Sequence, residues 1–202
     1  MRDSRDAHLL DSRSFAAVLF DMDGTLITSI EAAERVWTRW AAGHGLDART
    51  FLSHIHGQRA VDSIRSLKIP GATEFVASLP EDRWAVVTSA PRALAARRLE
   101  AAGLILPAVL VTAEDVVAGK PDPSGYRLAA SRLGVDVTDC AIFEDADIGI
   151  RAAEAAGGQL IVITATHAHG SRTAHPSLRD YVALETEFSQ GRLRITGTSK
   201  GC

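Results

Sequence analysis

Five short runs, Ala16 to Phe20, Trp84 to Val87, Ala108 to Val111, Ala141 to Phe143 and Leu160 to Ile163, are apolar at every position. A strand with one face in water alternates apolar and polar residues, so a strand that is apolar throughout has to be covered on both faces. The segments between these runs are rich in Ala, Leu and Arg and carry a helical period: Arg92 to Ala102, Tyr126 to Leu133 and Ile150 to Ala156. Gly103, Gly134 and Gly157 follow them, and a residue free to turn left-handed ends a helix. Strand and helix in alternation predict an α/β fold with a doubly wound, Rossmann-like parallel sheet.

Residues 28–69 depart from this rhythm. They hold three helical patterns (Glu31 to Ala42, Ala48 to His54, Ala60 to Lys68) and no strand pattern, which reads as a small α-helical cap inserted after the first strand. The expected organisation is a core of 15–27 plus 70–190, a helical cap at 28–69, and flexible termini at 1–14 and 191–202. The second terminus either closes as a short strand or frays. A chain of 202 residues that is 46% hydrophobic suffices for one such domain with a modest appendage.

The formal charge of −3 comes from 22 basic and 25 acidic side chains with no Lys/Arg block, which argues against nucleic acid as a partner. Met1 to Ser14 is too charged for a signal-peptide core, and no apolar run reaches the roughly 18 residues needed to cross a bilayer. No membrane partner and a cytoplasmic location are therefore expected. Cys140 and Cys202 are the only cysteines, and neither spacing nor number suggests a disulfide framework.

The first apolar run ends in Asp21-Met22-Asp23-Gly24-Thr25-Leu26. Open α/β sheets place their ligands at the carboxyl ends of strands, and two carboxylates two apart on extended chain point the same way. Such a pair can divide a substitution between them. One attacks an electrophile and becomes an acyl-phosphate, while the other passes a proton to the leaving group and later takes one from water. An acidic turn tightened by Gly24 is the plain alternative.

Three further run ends carry polar groups. Trp84 to Val87 is followed by Thr88-Ser89-Ala90-Pro91, a hydroxyl, two backbone N–H donors and a helix start, which suit an anion or an ordinary helix cap. Lys120 stands in Gly119-Lys120-Pro121-Asp122-Pro123, a stiff loop where a fixed ammonium can neutralise phosphoryl charge, or else be a free surface lysine. Glu144 and Asp145 close the fourth run with hard oxygen donors of the kind Mg2+ accepts, although acids at strand ends are common surface residues.

In this order, each at a predicted strand end, the four elements resemble the motifs of the haloacid dehalogenase superfamily: D-x-D-x-T, an apolar run ending in Thr or Ser, a Lys, and a closing acidic pair. The resemblance runs from about Phe15 to Val182, and T-S-A-P-R, G-K-P-D-P and E-D-A-x-x-G-I-R-A-A-x-x-A-G are similar to the sugar-phosphatase and β-phosphoglucomutase-like branch. It implies Asp21 as nucleophile and Asp23 as general acid/base, with Thr88, Ser89 and Lys120 holding phosphate. It further implies Mg2+ held by Asp21, Asp145 and the backbone carbonyl of Asp23, with Glu144 assisting. Dehalogenases of this architecture lack the second carboxylate, so Asp23 favours phosphate esters. The implied substrate is a small sugar or polyol phosphate, and the implied enzyme a monomer or homodimer.

Two departures matter. Ala146-Asp147 stands where many relatives carry Ser, which removes a hydroxyl from behind the metal site unless Asp147 replaces it. Only 65 positions (88 − 23) separate Asp23 from Thr88, so the cap is short, and a cap ordinarily excludes water and selects substrate. His56-Gly57-Gln58-Arg59 is the candidate cap loop over the substrate, or equally a polar turn between helices. Ala60 stands where mutase relatives carry an arginine for a second phosphate, which puts a phosphomutase behind a phosphatase. A non-catalytic phosphate-binding module with a degenerate cap is the alternative from another class. His54 with His56, and His167 with His169, are spaced for a metal, but the carboxylates make the better hard-metal site. Trp37 and Trp40, three apart, pack the cap helix.

Overall fold

The computed structural model describes residues 13–28, 67–166 and 174–197. The chain runs through β1 (Ser14–Phe15), β2 (Ala17–Phe20), β3 (Ile27–Thr28), β4 (Leu67–Lys68), α1 (Ala72–Ala77), β5 (Trp84–Val87), α2 (Arg92–Ala101) and β6 (Val109–Val111). It continues through α3 (Ser124–Arg132), β7 (Cys140–Glu144), α4 (Asp147–Ala156), β8 (Gln159–Ile163), β9 (Ser177–Leu178), β10 (Leu184–Ser189) and β11 (Arg192–Gly197).

Six strands form one parallel sheet in the order β6-β5-β2-β7-β8-β9. The chain winds outward from β2 in both directions, so the order reverses at β2, and a crevice opens at its carboxyl end. Asp21 is the next residue. Successive side chains of a strand point to opposite faces, and both faces here are filled. Val18, Phe20, Val86 and Phe143 pack with Phe75 and Val76 of α1 and with Ala95 and Leu99 of α2. Ala17, Leu19, Ala85 and Ile142 pack with Tyr126, Ala129 and Ala130 of α3 and with Ala152, Ala153 and Ala156 of α4. The expected parallel sheet is therefore present, and its central strands are apolar up to their ends because neither face meets water.

The first face is aromatic. Phe20 stacks on Phe143 at 5.3 Å and Phe75 on Tyr181 at 5.2 Å, each buried ring contributing about 1.5–3 kcal/mol. Phe20 and Phe143 immediately precede Asp21 and Glu144, so this cluster is the floor beneath both acids. Tyr181 also donates its hydroxyl to the carbonyl of Thr25 at 3.2 Å, tying the end of the fold to the loop after β2.

β3 and β4 form an antiparallel ribbon, Ile27 opposite Lys68 and Thr28 opposite Leu67. The chain thus leaves the core and returns to it at one place, with a short strand at each end of a segment in which the sequence showed none. Residues 29–66 lie outside the described residues, and with them the first two helical patterns, Trp37, Trp40, His54, His56, Gly57, Gln58, Arg59 and Ala60; the third pattern, read as Ala60 to Lys68, ends in the strand Leu67–Lys68 and not in a helix. His167, His169 and Cys202 lie outside them too.

The chain end settles the open alternative as a strand. β10 and β11 form a hairpin closed by Gln190 and Gly191, whose φ angles of 52° and 75° are the two positive values a two-residue turn of this kind requires. β11 pairs with β1 through Ser14 opposite Arg194 and Phe15 opposite Leu193. Leu193 and Ile195 enter the aromatic core, so residues 192–197 are part of the folded body, as is Ser14. Among the described residues, no helix is long and apolar enough to cross a membrane.

Candidate active site

Four carboxyl ends of the sheet converge. Asp21, one residue beyond β2, is buried, and its backbone N–H donates to the carbonyl of Phe143 at 2.9 Å, locking it beside the end of β7. Lys120 reaches in from the loop before α3. Its ammonium donates to Asp21 Oδ1 at 2.5 Å, Glu144 Oε1 at 2.6 Å and the carbonyl of Val87 at 3.2 Å, so all three protons of the head group are spent on fixed partners. The loop is held by Asp122, whose carboxylate accepts from the backbone N–H of Ser124 at 2.9 Å.

Glu144 is saturated as well. Its Oε1 also accepts the Tyr126 hydroxyl at 2.7 Å, and its Oε2 accepts the backbone N–H groups of Asp145 at 3.0 Å and Ala146 at 3.3 Å. Asp145 Oδ1 receives the Thr25 hydroxyl at 3.5 Å and Oδ2 the Thr166 hydroxyl at 3.3 Å. Both oxygens of Asp145 thus meet a threonine hydroxyl, while Asp147 is exposed at the start of α4. Gly24, with φ of 94°, and Gly149 complete the packing: a Cβ on either would collide with the carboxylate of Asp145 or Glu144 respectively.

Carboxylate oxygens of Asp21, Glu144 and Asp145 lie within 4.8 Å of one another. Burial and then the Glu144 charge push the Asp21 carboxyl well above the ordinary carboxylate range, with Lys120 pulling the other way. Burial works against the Lys120 charge, but the Asp21 and Glu144 carboxylates outweigh it and hold the ammonium above its ordinary value. Burial, then Glu144, also keeps Tyr126 a phenol and therefore a donor. Three buried acids sharing one ammonium are short of positive charge, and hard oxygen donors with that deficit fit a divalent cation such as Mg2+.

Thr88 is buried at the end of β5, its N–H bonded to the carbonyl of Val111 at 2.9 Å. Its hydroxyl accepts from the Ala90 N–H at 3.1 Å, and the N–H of Arg92 at the start of α2 donates to Glu114 at 3.0 Å. The anion cradle read from T-S-A-P is thus narrower than the sequence suggested, with the helix start taken by an acid. A cleft of about 180 Å3 beside it is lined by Thr88, Ser89, Lys120 and Tyr126 among others.

Asp23 faces a partner with no counterpart in the motif reading. Arg98 Nη1 lies 3.1 Å from its Oδ1 and 3.0 Å from its Oδ2. Arg98, Tyr126, Thr25, Thr166 and Gly149 are the residues around the acids to which the sequence reading gave no role. An Arg three residues after buried Ala95 on a sheet-facing helix was a signal for the first, since a cation there needs an anion.

Fold and site together define an α/β enzyme that gathers a carboxylate, an ammonium and a hard-metal donor set at one strand end. The haloacid dehalogenase-like hydrolase model matches residues 47–157. Hexitol phosphatase A of Escherichia coli (strain K12) is 36% identical over 177 residues, covering 73% of this chain and 82% of that one. The 2-deoxyglucose-6-phosphate phosphatase 1 of Saccharomyces cerevisiae is 31% identical over 196 residues, covering 74% and 80%. A crystal structure of a HAD family hydrolase from Deinococcus radiodurans R1, with bound phosphate and sodium, superposes with a TM-score of 0.68 at 25% identity, covering 81% of this chain and 90% of that one. The chain belongs to the haloacid dehalogenase-like hydrolases. The first of these matches spans 177 residues yet takes in 73% of this chain's 202, about 147, so about 30 positions of the relative have no counterpart here.

Proposed function

We propose that the protein is a Mg2+-dependent phosphomonoester hydrolase that acts on a small sugar or polyol phosphate through an aspartyl-phosphate on Asp21. The observation that carries this reading is the meeting of Asp21, Lys120, Glu144 and Asp145 at the switch point of the sheet. Two relatives named as phosphatases of a hexitol phosphate and a deoxyglucose phosphate support the substrate class.

In this reading Asp21 Oδ attacks phosphorus as the ester P–O bond breaks, and Asp23 gives a proton to the leaving oxygen. Water then attacks the aspartyl-phosphate, Asp23 takes the water's proton, and Asp21 and phosphate are released. The hydroxyls of Thr88 and Ser89 orient the phosphoryl oxygens, and the Lys120 charge, in place before substrate arrives, neutralises them. Asp21, Asp145 and the Asp23 carbonyl would hold Mg2+, with Glu144 fixing Lys120 and the Asp145 backbone. The ion supplies charge that lets a phosphate dianion approach a carboxylate. Residues 29–66, entered and left through the β3–β4 ribbon, are the cap, with His56, Gly57, Gln58 and Arg59 as its substrate-facing loop. The location is the cytoplasm, and the enzyme is a monomer or homodimer.

The test is turnover of a panel of sugar and polyol phosphates, with and without Mg2+. A short cap leaves little to contact the substrate beyond its phosphate, so kcat/KM should vary by about tenfold or less among panel members. Turnover unaffected by chelator would contradict the metal, and one substrate preferred by about a thousandfold would contradict the cap.

A further inference from the structure

Arg98 lies on the stripe of α2 that faces the sheet. Ala95 and Leu99 of that stripe are buried and Ala102 packs against the same core, and position 98 falls between them at helical spacing. A guanidinium there cannot be left without an anion, and the anion it meets is the carboxylate of Asp23. One nitrogen, Nη1, is set between both oxygens at 3.1 Å and 3.0 Å, so turning the carboxylate about the Cα–Cβ bond of Asp23 breaks both contacts at once. The arginine side chain is 15% exposed and the carboxylate 31%, which leaves Asp23 open toward an incoming group while its rear is held. The adjacent Arg97 is exposed, so of these two neighbours only Arg98 turns inward.

We propose that Arg98 is a positioning residue that aims the Asp23 carboxylate, so that a helix of the core takes part in orienting the group that serves the leaving oxygen. This rests on the phosphatase reading above. Misaim of a reacting group by about 1 Å can cost on the order of 100-fold in rate.

The experiment is a double-mutant cycle of Arg98→Ala and Asp23→Asn, with Arg98→Lys alongside. It measures kcat and KM for glycerol phosphate in saturating Mg2+, and melting of each protein in chelator. Arg98→Ala should lower kcat by about 10- to 100-fold with KM nearly unchanged, and Arg98→Lys should recover part of the loss. In the Asp23→Asn background the same change should cost less than about twofold, because nothing remains to aim. In chelator the melting losses of the two changes should be less than additive. Equal losses of kcat in both backgrounds would mark Arg98 as structural support only, and full activity of Arg98→Ala would overturn the proposal outright. A wild-type protein with no phosphatase turnover would sink the parent reading and this inference together, whereas an active wild type with either of the other two results sinks this inference alone.

Discussion

The two sides of the site are held in different ways. On the phosphate side, Lys120 is 10% exposed and Glu144 1%, and their head groups are saturated by Asp21, Tyr126 and the backbone. A buried network that is fully satisfied is stiff and is already arranged when the reaction begins. On the side proposed to serve the leaving group, Asp23 is 31% exposed and is held by Arg98, next to the ribbon from which the insertion departs. Partly exposed ion pairs are worth only about 0–1 kcal/mol, so this side is aimed without being frozen. In the proposed function phosphate, the constant part of any substrate, meets the rigid side, and the varying alcohol meets the adaptable one.

The largest effect should come from breaking the rigid side. Lys120→Ala leaves Asp21 and Glu144 as buried charges without their cation, which should lower kcat by about 100- to 1,000-fold and stability by about 3–5 kcal/mol. Steady-state kinetics and denaturant melts check it, and an active, stable variant would show that the buried lysine is not the organising charge.

A smaller effect should follow pH. The Asp21 carboxyl is held above its ordinary value of 3.8, so the fold favours its neutral form. That contribution to stability is present at low pH and is lost as pH rises through the folded value, where ionised Asp21 weighs against the metal-free protein. Asp21→Asn should therefore melt above wild type in chelator, by a margin that grows as pH rises above about 4, and added Mg2+ should close the gap. A margin that shrinks as pH rises would reverse the sign argued here. Lys120, raised instead, keeps its contribution until strongly alkaline pH.

The smallest effect belongs to Tyr126→Phe. Removing one donor from Glu144 should cost about 1–2 kcal/mol and only several-fold in kcat, because Lys120 and two backbone N–H groups still hold the carboxylate. A loss as large as that of Lys120→Ala, measured by the same kinetics, would mean that the phosphate side depends on its rear support and is not self-sufficient.

The sheet and the acids were legible in the sequence because both are local. A strand covered on both faces has to be apolar along its length, and Asp21, Glu144 and Asp145 stand at or just beyond the ends of such runs. α4 starts at Asp147, three residues before the Ile150 read from its period, because Gly149 has to tuck its first turn under Glu144. The β1-β11-β10 sheet was less legible for two reasons. β10 is largely exposed, so its pattern carries little burial signal, although Leu193 and Ile195 do alternate in β11. Its pairing with β1 joins the two ends of the chain, which no local pattern encodes. Arg98 belongs to no motif, and its role depends on the reach of a side chain across space. Thr25 stood in the D-x-D-x-T motif and Arg98 left a faint signal on its helix, but which acid each meets, and that Thr166 joins them, emerged only from the fold.

The most direct test of the central claim is a rapid-quench digest of the enzyme during turnover of a phosphate ester in Mg2+, read by mass spectrometry. The account predicts one added phosphoryl group on the peptide that contains Asp21, formed and lost at the rate of turnover, and absent from Asp21→Asn, which does not turn over. Turnover with no such adduct, an adduct on another residue, or an active Asp21→Asn protein would contradict it.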